Sequence, residues 1–224
     1  MGKLAAIFDL DGTLLDTLED LYDAVNYTMR LYGSPKRTVS EVRRFVGDGA
    51  AELIARALEG GRGNENYERA LADFMTYYNE HADIKTRPYT DIVGLLERLG
   101  ERGIVCAVVT NKPDAAARAL CQKHFGGLLK SAIGDREGLR RKPAPDKIHA
   151  MMRELDIDRA VYIGDSEVDV LTAKNAEIPC VCVTWGFRDE DTLRACGGEV
   201  FVNTADELEG EILRLLDYDA EVTG

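Results

Sequence analysis

Short, nearly unbroken apolar runs alternate with stretches of helical periodicity along most of this chain. LAAIF at 4–8, GIVCAVV at 103–109, AVYIG at 160–164 and PCVCVTW at 179–185 have the continuous apolar character of strands covered on both faces. Stretches 90–102, 114–124, 145–155 and 166–177 place apolar residues three and four positions apart, which predicts amphipathic helices. A last strand is expected at 199–202 and a closing helix at 205–217. Strand and helix in alternation with short turns predict an α/β fold, a parallel sheet with helices on both faces.

One block breaks the alternation. From Asp16 to Arg87 the pattern is helical throughout: Leu18, Leu21, Tyr22, Val25 and Met29, then Val42, Phe45 and Val46, then Leu53, Ile54, Ala57 and Leu58, then Tyr67, Leu71, Phe74, Met75 and Tyr78. GGRGNEN at 60–66 reads as its main internal loop. The expected organisation is a core of residues 1–15 and 86–224 with an all-helical insertion at 16–85. The two crossings, near Asp16–Leu18 and Lys85–Pro88, would act as hinges.

The whole chain has 224 residues, 45% of them hydrophobic and 30% charged, with a net charge of -12. That charge argues against a nucleic-acid partner, which clustered Lys and Arg would have to attract. The five cysteines form no CxxC pair and the three histidines are scattered, so buried reduced thiols are expected rather than a Cys/His metal site. MGKLAAIFDLD meets a charge too early for a signal peptide, Ala6 breaks a myristoylation pattern, and no apolar run approaches the ~20 residues of a membrane helix. A soluble cytoplasmic protein without membrane partners is expected, monomeric or homodimeric.

Ligands of an open parallel sheet bind beyond the carboxyl ends of its strands. The residues just after the expected strands are Asp9-Leu10-Asp11-Gly12-Thr13, Thr110-Asn111-Lys112 and Gly164-Asp165-Ser166, with Asp169 four positions on. FDLDGTLLDT alone places three aspartates within eight positions beside a core run, which is costly unless a cation joins them. Oxygen donors without Cys or His favour Mg²⁺, which leaves room for water and substrate phosphate. Lys142, in RRKPAPD, adds a fixed positive charge suited to a phosphoryl group.

DLDGT at 9–13, Thr110-Asn111, Lys142-Pro143 and GDSEVD at 164–169 resemble, in order, the four motifs of the haloacid dehalogenase-like phosphatase superfamily. The helical block after the first motif resembles its members with an inserted helical cap on a Rossmann-like core. The resemblance implies that Asp9 is the nucleophile, forming an aspartyl-phosphate, and Asp11 the general acid and base. It implies a Mg²⁺ ion held by Asp9, the Asp11 carbonyl and Asp165, with Asp169 in direct contact or one shell out. Thr110, the Asn111 amide and Lys142 would hold the phosphoryl oxygens. Thr13 fits the phosphatase form of the first motif better than the phosphomutase form.

VRRFVGDGAAELIARAL at 42–58 reads as a helix–turn–helix corner, and its R-x-x-x-G-x-G run resembles the cap of phosphoglycolate phosphatases and close pyrophosphatase relatives. TWGFRDEDTL at 184–193 is similar to the same group. Arg43 would then face a substrate carboxylate, with Gly47 and Gly49 letting backbone amides approach an anion; Arg44 is the competing arginine. The implied substrate is a small phosphorylated metabolite, 2-phosphoglycolate first. Pyrophosphate or sugar-phosphate hydrolysis, sugar phosphate isomerisation and non-catalytic phosphate binding are the alternatives.

Overall fold

Six strands assemble into one parallel sheet in the computed structural model, which describes residues 2–217. Residues 1 and 218–224, expected to belong to the core, lie outside the described residues. The chain enters through β1 (Leu4–Phe8) and β2 (Leu15–Asp16), passes through α1 (Leu18–Leu31), α2 (Val39–Phe45), α3 (Ala50–Ala57) and α4 (Tyr67–His81), and returns through β3 (Arg87–Pro88). Then follow α5 (Ile92–Glu101), β4 (Val105–Pro113), α6 (Asp114–Phe125), β5 (Ser131–Asp135) and α7 (Asp146–Leu155). The last third contains β6 (Arg159–Gly164), α8 (Glu167–Asn175), β7 (Cys180–Val183), α9 (Glu190–Ala195), β8 (Val200–Val202) and α10 (Ala205–Leu215).

Strand order is β5-β4-β1-β6-β7-β8, so the chain builds outward from β1 in one direction and then in the other. The site is expected where that order reverses, at the carboxyl ends of the central strands. Alternation along β1 explains the two buried layers: Leu4, Ala6 and Phe8 pack with α5, α6 and α10, while Ala5 and Ile7 face α7 and α8. The four helices of the insertion bury a cluster of their own, centred on Val25, Met29, Ile54 and Phe74. Phe187, from the loop after β7, joins that cluster. α2 begins at a capping box in which Thr38 and Glu41 satisfy each other's amides.

Several elements depart from the sequence expectation. β5 was not anticipated, because Ser131–Asp135 contains only a brief apolar stretch and serves as an edge strand. β4 runs beyond the expected 103–109 to Pro113, and its register with β5 shifts between Val109 and Pro113. Thr110, Asn111 and Lys112 therefore leave the regular ladder at the strand's carboxyl end. The two crossings to the helical block pair with each other, Leu15 with Pro88 and Asp16 with Arg87, as a short antiparallel ribbon.

Candidate active site

The turn after β1 is shaped by glycine. Gly12 has φ 86°, and a Cβ there would collide with the Asp165 carboxylate, so only glycine lets the Asp9–Thr13 turn lie against the end of β6. Thr13 closes this approach by donating from Oγ1 to Asp165 Oδ1 at 2.9 Å, and the Phe187 amide donates to Asp165 Oδ2 at 2.7 Å.

Asp9, Asp165 and Asp169 are all buried and present oxygens within 4.8 Å of one another. Lys142 reaches into the group: its Nζ donates to Asp169 Oδ1 at 2.7 Å and to the Tyr162 hydroxyl at 3.0 Å, and stands 2.9 Å from Asp9 Oδ1. The last contact pairs the two charges, and Asp9 Oδ1 is otherwise buried without a hydrogen-bond partner among the described residues. Burial, opposed by Lys142 and reinforced by Asp169, pushes the Asp9 carboxyl up to about 6. Burial and the neighbouring Asp169 and Asp9 push Asp165 well up too.

Three clustered carboxylates against one ammonium, one of their oxygens unsatisfied and every donor an oxygen, fit a hard divalent cation. The three do not offer equal room. Asp169 Oδ1 accepts from Lys142 and Tyr162, and its Oδ2 accepts from the amides of Asp165 and Ser166 and from Ser166 Oγ. Asp9 and Asp165 retain more free lone pairs. The Asp11 side chain is outside the cluster, so only its backbone carbonyl is available for the metal contact expected of it.

Asn111 holds Lys142 in place. Its side chain accepts from the Lys142 amide at 2.9 Å and donates to the Lys142 carbonyl at 3.1 Å, a reciprocal pair that fixes the backbone of the RRKPAPD loop. Lys147, fully buried on α7, donates to the Thr110 carbonyl at 2.9 Å and holds the same turn from below. Burial and the nearby Lys142 lower the Lys147 ammonium to about 8. Lys147 and Tyr162 belong to no motif of the sequence. Their signal was a lysine and a tyrosine inside otherwise apolar faces, which folding must pair.

A cavity of about 50 Å³ lies above this cluster, between the sheet edge and the helical unit. Asp9, Asp11, Thr110 and Asn111 form its floor, and Gly47 and Gly49 lie in its wall. The Gly47 carbonyl accepts from Asn111 Nδ2 at 3.3 Å, and Gly49 (φ 87°) comes so near the Asn111 carbonyl that a Cβ would stand 3.2 Å from it. Arg43 stands elsewhere. Its guanidinium donates to the Gly186 carbonyl at the seam between the units, and neither Arg43 nor Arg44 lines the cavity. Among the described residues the basic one that does is Lys112, whose Nζ donates to Asp11 Oδ1 at 2.8 Å, to Asp11 Oδ2 at 3.2 Å and to the Tyr78 hydroxyl at 2.5 Å. The third aspartate of FDLDGTLLDT, Asp16, pairs with Arg87 on the ribbon and takes no part.

Arg188 crosses the seam in the other direction. It pairs with Glu167 on α8 and donates to the carbonyls of Arg43 and Val46 at the end of α2, satisfying groups that a helix terminus leaves open.

The haloacid dehalogenase-like hydrolase model matches residues 6–183. Phosphoglycolate phosphatase 1 of Pseudomonas aeruginosa is 37% identical over 190 residues, covering 81% of this chain and 69% of that protein. The phosphoglycolate phosphatase of Rhodospirillum rubrum is 36% identical, covering 83% and 81%. The crystal structure of CbbY from Rhodobacter sphaeroides in complex with phosphate superposes with TM-score 0.73 at 26% identity, covering 93% of this chain and 96% of that one. A matched model over most of the length, relatives above one-third identity and a shared architecture give one conclusion: the chain belongs to the haloacid dehalogenase-like hydrolase family.

Proposed function

We propose that this protein hydrolyses 2-phosphoglycolate to glycolate and phosphate through an aspartyl-phosphate on Asp9. The observation that carries the reading is the meeting of Asp9 and Asp11 with Thr110 and Lys142 at one sheet edge, beneath a cavity of only about 50 Å³. The names of the relatives from Pseudomonas aeruginosa and Rhodospirillum rubrum support the same substrate.

In this reading the Asp9 carboxylate attacks phosphorus as the ester bond breaks, and Asp11 gives its proton to the departing alkoxide oxygen. Asp11 then takes a proton from the water that attacks the aspartyl-phosphate, releasing phosphate and restoring Asp9. Lys142 and the Thr110 hydroxyl stabilise the phosphoryl oxygens, and Asn111 keeps Lys142 aimed. Asp9, the Asp11 carbonyl and Asp165 would hold Mg²⁺, while Asp169 orients Lys142 and the start of α8. When bound, the ion would neutralise negative charge shared by these carboxylates and the phosphoryl group. Residues 16–85 serve as the cap that excludes water, over a core of 1–15 and 86–224. The free cysteines fit a reducing, cytoplasmic setting.

The test is steady-state phosphate release from 2-phosphoglycolate, pyrophosphate, hexose phosphates and p-nitrophenyl phosphate, with Mg²⁺ and with EDTA. A Mg²⁺-dependent preference in kcat/KM for 2-phosphoglycolate is expected. A higher value for pyrophosphate or a hexose phosphate would move the assignment to that substrate.

A further inference from the structure

The cavity above the aspartates has walls of unlike chemistry. Leu21, Val46, Ala50, Leu53 and Phe74 make most of it apolar, and Lys112 is the only lysine or arginine lining it among the described residues. Its ammonium pairs with Asp11 on the floor and carries positive charge into that apolar wall.

We propose that the Lys112 ammonium and the Tyr78 hydroxyl together form the receptor for a carboxylate on the leaving group, so that this pair selects the ester. The substrate named here rests on the phosphatase reading above, but the receptor has geometry of its own.

A lysine ammonium has three N–H donors, and here they meet Asp11 Oδ1 at 2.8 Å, Asp11 Oδ2 at 3.2 Å and the Tyr78 hydroxyl. The long contact to Asp11 Oδ2 is the one a ligand oxygen would replace. Burial pulls the Lys112 pKa down, but the Asp11 carboxylate and Tyr78 more than offset this and hold it above the ordinary lysine value, so the charge persists. Tyr78 is 2% exposed, and burial pushes its hydroxyl up to about 12, so it stays protonated. That hydroxyl accepts from Lys112, while its own proton has no acceptor among the described residues. The two groups thus offer one weakly engaged N–H and one O–H without an acceptor at the cavity wall, which matches the two oxygens of a carboxylate.

Reach and environment agree. In 2-phosphoglycolate the carboxylate is one carbon beyond the ester oxygen that Asp11 would protonate, and Lys112 is one hydrogen bond beyond Asp11. Low-dielectric walls strengthen the attraction for a charged tail and give a neutral tail of the same size little. Tyr78 comes from α4 and Lys112 from β4, so the receptor is complete only while the helical unit sits on the sheet edge.

The experiment compares 2-phosphoglycolate with its alcohol counterpart, 2-hydroxyethyl phosphate. Calorimetry with Mg²⁺ measures their binding to the Asp9→Asn protein, and kcat/KM is measured on the unsubstituted enzyme. Binding is expected to favour the acid by at least about 10-fold, with the preference abolished by adding Lys112→Met. Tyr78→Phe, which keeps the charge, is expected to reduce it about 3- to 10-fold and decides the matter if Lys112→Met is unfolded by circular dichroism. Arg43→Ala should leave the preference intact. Equal binding of the two esters, a preference that survives both Lys112→Met and Tyr78→Phe, or one that moves with Arg43→Ala overturns the receptor. Selective, Lys112-dependent binding of an acid that the unsubstituted enzyme does not hydrolyse would uphold the receptor and remove the phosphatase assignment instead.

Discussion

Lys142 and Lys112 are both buried at the sheet edge, each beside an aspartate of the Asp9–Asp11 turn and a tyrosine hydroxyl, yet their tyrosines come from different halves of the molecule. Tyr162 belongs to β6 and also donates to the Val109 carbonyl at 2.8 Å, so the surroundings of Lys142 are built wholly within the core. Tyr78 belongs to α4, so the surroundings of Lys112 are shared between the core, which supplies Asp11, and the helical unit. A phosphoryl group is common to every ester such a site could take, and a permanent charge suits it. The leaving group differs between substrates, and a charge placed at the seam beside Tyr78 can discriminate among them.

The largest effect is expected from breaking the permanent partner. Lys142→Met should lower kcat by about 10³-fold or more, since transition-state charge loses its fixed counter-charge. It should also cost about 3–5 kcal/mol in urea unfolding without divalent cation, because buried Asp9 and Asp169 lose their ammonium. A variant of unchanged stability would mean the three carboxylates do not repel as their geometry implies.

The next effect sharpens the charge imbalance through pH. Asp9 titrates near 6 in the cation-free fold, above the unfolded 3.8, so its contribution to stability is full below about pH 4 and lost as pH rises through 6. Added Mg²⁺ should therefore raise Tm more at pH 7 than at pH 5, where a proton competes for Asp9. Differential scanning fluorimetry across that range checks it; an equal shift at both values would place the ion away from Asp9.

Loosening the seam should act more weakly and on the Lys112 side. Arg188→Ala removes the contacts to the carbonyls of Arg43 and Val46, and should raise KM about 10-fold while changing kcat less, through poorer closure. The reverse pattern in steady-state kinetics would assign Arg188 to the chemistry. Smallest of all, Thr38→Ala removes a cap within the helical unit and should cost about 1 kcal/mol with kcat unchanged. Thermal denaturation with a parallel turnover assay tests this.

Much of the architecture was legible because its signals are local. The central strands are continuous apolar runs, and the helical block announces itself by periodicity from Leu18 to Tyr78. β5 carries little signal because an edge strand needs little apolar length, and α9 because its six residues span less than two turns. Among site residues, the strand-end aspartates, Thr110, Asn111 and Lys142 stood out by position. Lys112 stands in the same strand-end turn without a role of its own, since nothing in a turn sequence says which polar side chain will be buried. Arg43 was singled out by its motif, and its guanidinium lies at the Gly186 carbonyl.

The sequence by itself determined the alternation that makes a parallel sheet, the position of the helical block and the clustering of aspartates at strand ends, because each depends on neighbours in the chain. Only the tertiary structure decided which cation meets which aspartate, that Asp169 spends its oxygens on Lys142 and the start of α8, and that Lys112 rather than Arg43 lines the cavity. Those pairings join residues far apart in sequence, such as Lys112 with Asp11 and Lys142 with Asp169. Burial makes them strong, and burial is a property of the packed whole.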